Sequence, residues 1–208
     1  MASDKTDHPL ERLVFFSDAV FAIAITLLVI EIHVPEIPYR APAAVYWEAL
    51  AHLFPSFVSF AISFGVIGMF WTGHHRAFSL AGRYHGGVLG WNLMLLCAIA
   101  FMPFLTALYG RYYGAPVPTG IYWAWLVLTA LLNLKVNTIA TGPLMLGEGA
   151  APEAAADVRR RSRSVALAAA SAFVLALFVP LAAPAGMATI PLWQILLARV
   201  GRRASAPA

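Results

Sequence analysis

Charge is the scarcest ingredient of this chain. Of its 208 residues, 12% are Asp, Glu, Lys or Arg and 61% are hydrophobic, whereas a soluble domain usually carries about a quarter charged residues. The length would suit one soluble domain, but a mean hydropathy of +0.75, concentrated in near-continuous apolar stretches, excludes it. Cysteine is almost missing. The single Cys97 lies inside an apolar run, which excludes an intrachain disulfide and a cysteine metal cluster. No A-x-A-like cleavage site directly abuts the end of the first apolar run, which contains Asp18 and is preceded by Asp4 and Asp7. That run reads as a retained helix rather than a signal peptide. The net charge of +4 does not indicate nucleic acid, because the positive residues fall in short clusters between apolar segments, where membrane topology needs them.

What is abundant is apolar sequence, in six blocks at about 13–34, 45–72, 86–109, 117–140, 165–185 and 187–200. The first five are long enough to cross a hydrocarbon core of ~30 Å at ~1.5 Å per residue. The sixth reaches only ~20 Å, so it is expected to sit shallowly or in a pocket. Prolines such as Pro35, Pro38, Pro116 and Pro152 mark the joints, while Pro55, Pro103 and Pro180 fall inside the blocks, where neighbouring helices can satisfy the carbonyls they free. The stretch 147–164 is the most polar and is expected to be a short helical or disordered cytoplasmic loop. No internal repeat is visible, so residues 1–208 read as one all-α, six-helix integral membrane domain.

Lys and Arg set the orientation. With six spans and the N-terminus inside, eleven basic residues face the cytoplasm: Lys5, Arg12, Arg76, Arg83, the cluster Arg159, Arg160, Arg161 and Arg163, and the terminal Arg199, Arg202 and Arg203. Only Arg40 and Arg111 fall outside, and Lys135 can snorkel from the inner end of the fourth helix. Both termini are therefore expected to be cytoplasmic. Trp47, Trp123 and Trp193, near segment ends, fit an interfacial aromatic belt. The arginine cluster either fixes topology or meets anionic lipid.

The first helix carries the chemistry. An ionisable side chain within a span is costly, so Asp18 is either a functional group or a structural anchor paired with another helix. It lies seven residues beyond Glu11, ~10 Å along the helix. Trp71, His74 and His75 end the second block at similar depth, so an Asp–His or Asp–Arg hydrogen-bonded cluster is expected there. Ala19, Ile23, Thr26, Ile30 and His33 recur at spacings of four, three, four and three, a heptad seam with Leu27 beside it. Such a seam lets identical helices meet around an axis, but it equally fits helix packing or lipid contact.

Catalysis is not expected. Metal chemistry needs three or four convergent ligands, adjacent histidines on a helix point about 100° apart, and no G-x-S-x-G elbow is present. No cofactor and no resident metal are called for. A secondary transporter is the alternative for a membrane domain of this size, although the inverted repeat of many such folds is not visible.

The run Arg12-x-x-x-Phe16-Ser17-Asp18, followed by Ala-Val-Phe-Ala-Ile-Ala-Ile-Thr-Leu-Leu, resembles the signature of the bacterial and archaeal relatives of transmembrane protein 175, the endolysosomal potassium channel. Trp71-x-x-His74-His75-x-x-Phe78 is similar to a second block of that family. The resemblance implies a homotetramer in the bacterial inner membrane, with a central pore lined by the first helix and only transient potassium ions as its metal. It also implies no Thr-Val-Gly-Tyr-Gly filter, and none is present. By position after the motif, Ile23 would form a hydrophobic constriction, Thr26 a hydroxyl layer above it, and Leu27 and Ile30 the outer turns. Modest selectivity for potassium over sodium would follow. Arg12, Phe16, Ser17, Asp18, Trp71, His74 and His75 would form a structural network, with Arg12 pairing to an acidic or carbonyl group. Glu31 and Glu36 are candidates either for an acidic outer mouth or for simple solvent exposure.

Overall fold

A computed structural model of the chain describes residues 8–204, with side chains described over 9–200. Lys5 lies outside the described residues, and Arg202 and Arg203 lie in a helix whose last side chains are not described. Eight α-helices and one 3₁₀ segment follow in order: α1 His8–Ile30, α2 Ala43–His52, α3 Phe54–Ser79, α4 Gly87–Ala100, α5 Met102–Arg111, α6 Pro116–Ala140, α7 Pro152–Phe178, the 3₁₀ segment Pro180–Thr189 and α8 Ile190–Ala204. They compose six candidate spans, with α4–α5 forming one and the 3₁₀ segment with α8 forming the last. The fold is all-helical with six long apolar helices.

Several boundaries differ from the hydropathy blocks, each for a local reason. Pro55, Pro103 and Pro180 each sit in the first turn of a new element. Their missing N–H would have had no intrahelical partner there, so they start helices instead of kinking them. The second block accordingly splits into α2, none of whose residues is buried, and the span α3. The third block breaks at Phe101, between α4 and α5. α1 stops at Ile30, ahead of Pro35 and Pro38, so His33 does not continue the seam; its Nδ1 lies 3.0 Å from the Glu31 carbonyl. From Pro152 onward the expected polar loop is helix, because α7 extends beyond the apolar block and carries the arginine cluster on its surface.

The core forms where α1, α3, α4, α5 and α6 meet, around Phe21, Leu28, Ile67, Phe70, Leu95, Ile99 and Leu126. Tyr109 and Tyr122 stack at 4.6 Å, and Trp123 meets Tyr122 edge-on at 5.3 Å. Trp123 is fully buried and so is no interfacial anchor, unlike the exposed Trp47; Trp193 is half-buried and donates to Ser171 at 3.3 Å. Lys135 lies 5.2 Å from the centre of the Trp91 ring, a cation–π contact.

α7 is held differently. Its buried face is mostly alanine: Ala168, Ala169, Ala172 and Ala176. Small residues let backbones approach closely, which drives helix association where lipid removes the hydrophobic incentive. The 3₁₀ segment exploits this at Gly186, where a Cβ would stand 2.3 Å from the Ala172 backbone. On the side where the basic loops gather, Gly82 donates to the Met145 carbonyl and Gly147 to the Leu80 carbonyl, each at 2.9 Å. Arg83 bridges to Glu148 at 2.8 Å.

Candidate functional site: the two faces of the first helix

Helix α1 has two faces about 200° apart. Leu10, Leu13, Ser17, Phe21, Ala24 and Leu28 are buried against the subunit, at the three-and-four spacing of one helical stripe. Two residues further round run Ala19, Ile23, Thr26 and Ile30, all exposed, with Ile23 at 57% and Ile30 at 66%. Leu27 flanks them at 40%. The same stripe continues downward through Phe16 to Arg12, also exposed. Thr26 Oγ1 lies 3.1 Å from the Ala22 carbonyl and 2.9 Å from that of Ile23, to which its hydroxyl donates. Its proton is thus used within the helix, while acceptor lone pairs remain on the exposed side. Arg12 forms no ion pair or hydrogen bond among the described residues, so the partner expected for it is not one of them.

The buried face carries the polar fastening. Ser17 Oγ donates to the Leu13 carbonyl at 2.7 Å and accepts from Asn92 Nδ2 at 2.9 Å. Asn92 Oδ1 in turn lies 2.9 Å from His74 Nε2. Since the Asn92 nitrogen is already donating, its oxygen must accept, so His74 carries its proton on Nε2. The imidazole is held between rings, stacked on Phe78 at 4.3 Å and tilted against Phe21 at 5.6 Å. Ser17, His74 and Asn92 are all fully buried, and together they join α1, α3 and α4.

Asp18 takes a different route. It accepts from Trp71 Nε1 at 2.9 Å, and the Trp71 ring stacks on His75 at 5.5 Å. The expected Asp–His or Asp–Arg cluster is therefore an Asp–Trp pair backed by a histidine. The reason is helical phase. Trp71 and His75 are one turn apart and share the α3 face toward Asp18, whereas His74 is rotated about 100° from His75 and reaches α4.

Asn92 is the site residue that sequence reasoning missed. Its signal was an amide alone in the apolar run Gly87–Ala100, where a buried polar group requires partners. Two further polar staples are equally deep. Thr106 gives its one proton to the Met102 carbonyl at 2.8 Å, so Ser63 donates to Thr106 at 2.7 Å and accepts from Tyr122 at 2.8 Å, and Asn137 donates to Asn133 and Ser162 at 3.0 and 2.9 Å. Among the described residues no three His, Cys, Asp or Glu gather as metal ligands.

Residues 12–103, which hold α1 from Arg12 onward, the Trp71–His75 pair and Asn92, match the family described as the endosomal/lysosomal potassium channel TMEM175. A potassium channel of Chamaesiphon minutus is 38% identical over 143 residues, 67% of this chain and 70% of that protein. One of Streptomyces collinus is 41% identical over 101 residues, 49% of this chain and 48% of its own. A solved structure, the crystal structure of a lysosomal potassium-selective channel TMEM175 homolog from Chamaesiphon minutus, superposes with a TM-score of 0.73 at 28% identity. That likeness covers 96% of this chain and 100% of that one.

Proposed function

The chain belongs to the prokaryotic part of the family of the endosomal/lysosomal potassium channel TMEM175, and on that premise we propose that it is a potassium channel in which four copies line a shared axis with α1. It is a multi-pass membrane protein. Cations cross between the copies, through a ring of Ile23 side chains with Thr26 above it and Leu27 and Ile30 toward the outer end. Both termini lie in the cytoplasm, in keeping with the basic residues of the loops.

One observation carries this reading. The stripe of Ala19, Ile23, Thr26 and Ile30 is left uncovered by its own subunit, while the opposite stripe is sealed into the core. A heptad-spaced, uncovered stripe is the geometry by which like helices meet. Four isoleucine side chains at a narrow axis form a hydrophobic constriction that closes by dewetting. An ion must shed part of its water to pass such a ring. Potassium holds its water less tightly than sodium, so the ring favours potassium without the tight coordination of a carbonyl filter. The outward lone pairs of Thr26 offer partial compensation one turn later. Ser17, Asp18, Trp71, His74, His75 and Asn92 hold α1 at its angle from behind, and Phe16 and Arg12 extend the stripe toward the cytoplasm.

Purified protein in a planar bilayer, with potassium on one side and sodium on the other, tests this. Discrete conductance steps with a reversal potential shifted toward potassium are expected. Ion flux without steps would favour a transporter, and absence of flux would remove the proposal.

A further inference from the structure

The four arginines near the start of α7 divide into two pairs. Asp157 bridges Arg160 and Arg161, the second at 2.6 Å, so those charges are balanced within one turn. Arg159 and Arg163 have no carboxylate partner among the described residues. They stand one turn apart on the same face and wall a cavity of about 560 Å³. Arg159 is fixed in place: Nη1 donates to the Thr141 carbonyl at 2.8 Å and to Thr141 Oγ1 at 3.3 Å, at the C-terminal end of α6. Its remaining N–H groups are left for another acceptor. Of the acidic residues nearby in sequence, Glu148 is held by Arg83, Glu153 is exposed, and neither lines the cavity.

The other walls are apolar: Pro143, Leu146, Pro152 and Ala155. They are held firm by the backbone bonds between Gly147 and Leu80 and between Gly82 and Met145. Thr138 also lines the cavity, and Leu134 and the exposed Leu131 follow it down α6 toward the bilayer interior. Two cations with no carboxylate partner among the described residues, above apolar walls at the end of α6, match a molecule that is anionic at one end and greasy at the other. A small soluble anion would have no use for the apolar walls.

We propose that this cavity is a binding site for an anionic phospholipid, its phosphate held by Arg159 and Arg163 and its acyl chains lying along α6. Juxtamembrane arginines attract anionic headgroups, and the guanidinium fork matches phosphate oxygens. The site is lined by no residue of α1, and its proposal does not rest on ion conduction.

Native mass spectrometry of the full chain, released from detergent with dioleoylphosphatidylglycerol or dioleoylphosphatidylcholine, tests it. Wild-type protein is expected to retain phosphatidylglycerol preferentially. Arg163→Gln, at an exposed side chain, is expected to weaken that retention about five-fold, and adding Arg159→Gln by a similar factor again. Arg160→Gln with Arg161→Gln removes the same charge and is expected to leave retention within about two-fold, because those side chains are turned to Asp157. Equal losses from both pairs would mean diffuse surface attraction, and no loss from either would mean no site. Displacement of the lipid by inorganic phosphate would identify a free-anion site instead. Each of these three results overturns the proposal. Should Arg159→Gln misfold because Thr141 loses its donor, Arg163→Gln alone decides.

Discussion

Trp71 donates its indole N–H to Asp18 across 2.9 Å, tying the second membrane span to the first at the point where α1 turns its other face outward. The acceptor is a carboxylate, which strengthens the bond, and the site is only partly buried, which limits its contribution. In the proposed channel the pair would serve as a positioning device for α1 rather than as part of an ion path.

Asp18→Ala is therefore expected to reduce subunit stability and assembly more than ion preference. Losing one partner of a bond that is only partly buried costs about 0.5–1.5 kcal/mol. Trp71→Phe should produce a loss of similar size, and the double variant little more than either alone. Thermal melting and size-exclusion profiles of the three variants provide the check. Normal assembly with altered permeation would reassign Asp18 to the pathway.

Asn92→Leu should loosen the centre of the subunit, because it strands both Ser17 and His74. Hydrogen bonds between membrane helices contribute about 0.6 kcal/mol on average and up to about 1.7, so removing two amounts to about 1–3 kcal/mol. Asn92→Asp should be worse at neutral pH. A carboxylate cannot donate to Ser17, and its charge would be buried without a cation. A melting temperature for Asn92→Asp at or above that of Asn92→Leu would contradict this.

Ile23→Ala widens the proposed constriction and Ile23→Asn wets it. Both are expected to raise sodium permeability relative to potassium, with Asn the stronger, since a polar ring removes the dewetting barrier. Bi-ionic reversal potentials measure this directly. Phe15→Ala, also on α1 but off the seam, serves as the control. Unchanged selectivity and conductance in both Ile23 variants would take that residue out of the pathway.

Gly186→Ala tests how the last span is attached. A methyl group there would meet the Ala172 backbone at 2.3 Å, so the 3₁₀ segment must lift from α7, at a cost typical of overpacking, about 1–3 kcal/mol. Gly120→Ala is the matching control, as a Cβ there meets nothing within 4 Å. Equal melting temperatures for the two variants would show that the close approach is unimportant.

The six spans were legible in the sequence because hydropathy is an absolute demand of the bilayer, met by each segment alone. The heptad stripe of α1 from Ala19 to Ile30 was legible for a similar reason: period is a property of one helix. Pairings were not. Asp18 was expected to find a histidine or arginine; helical phase turns His74 away to α4, and His75, which shares the phase of Trp71, stacks on that ring while the indole N–H donates to the carboxylate. α7 was read too short because a helix outside the hydrocarbon needs no apolar signal, and Arg159 to Arg163 read as a short helical or disordered loop rather than as part of the span's own helix. Trp123 looked like an interfacial anchor from its place near a span end, yet tertiary packing buries it beside Tyr122. Asn92 announced that it needed partners without saying which.

The hydrogen bonds from His74 through Asn92 and Ser17 to the Leu13 carbonyl all run in one direction. A histidine at the head of a buried chain invites comparison with a proton wire, but the middle link is an amide. Asn92 receives at oxygen and gives from nitrogen, so handing a proton along would require its imidic acid tautomer, and the last acceptor is a peptide carbonyl with nothing to pass on. The chain is insulating: it clamps three helices together in the heart of the subunit without opening a short circuit for protons across the membrane.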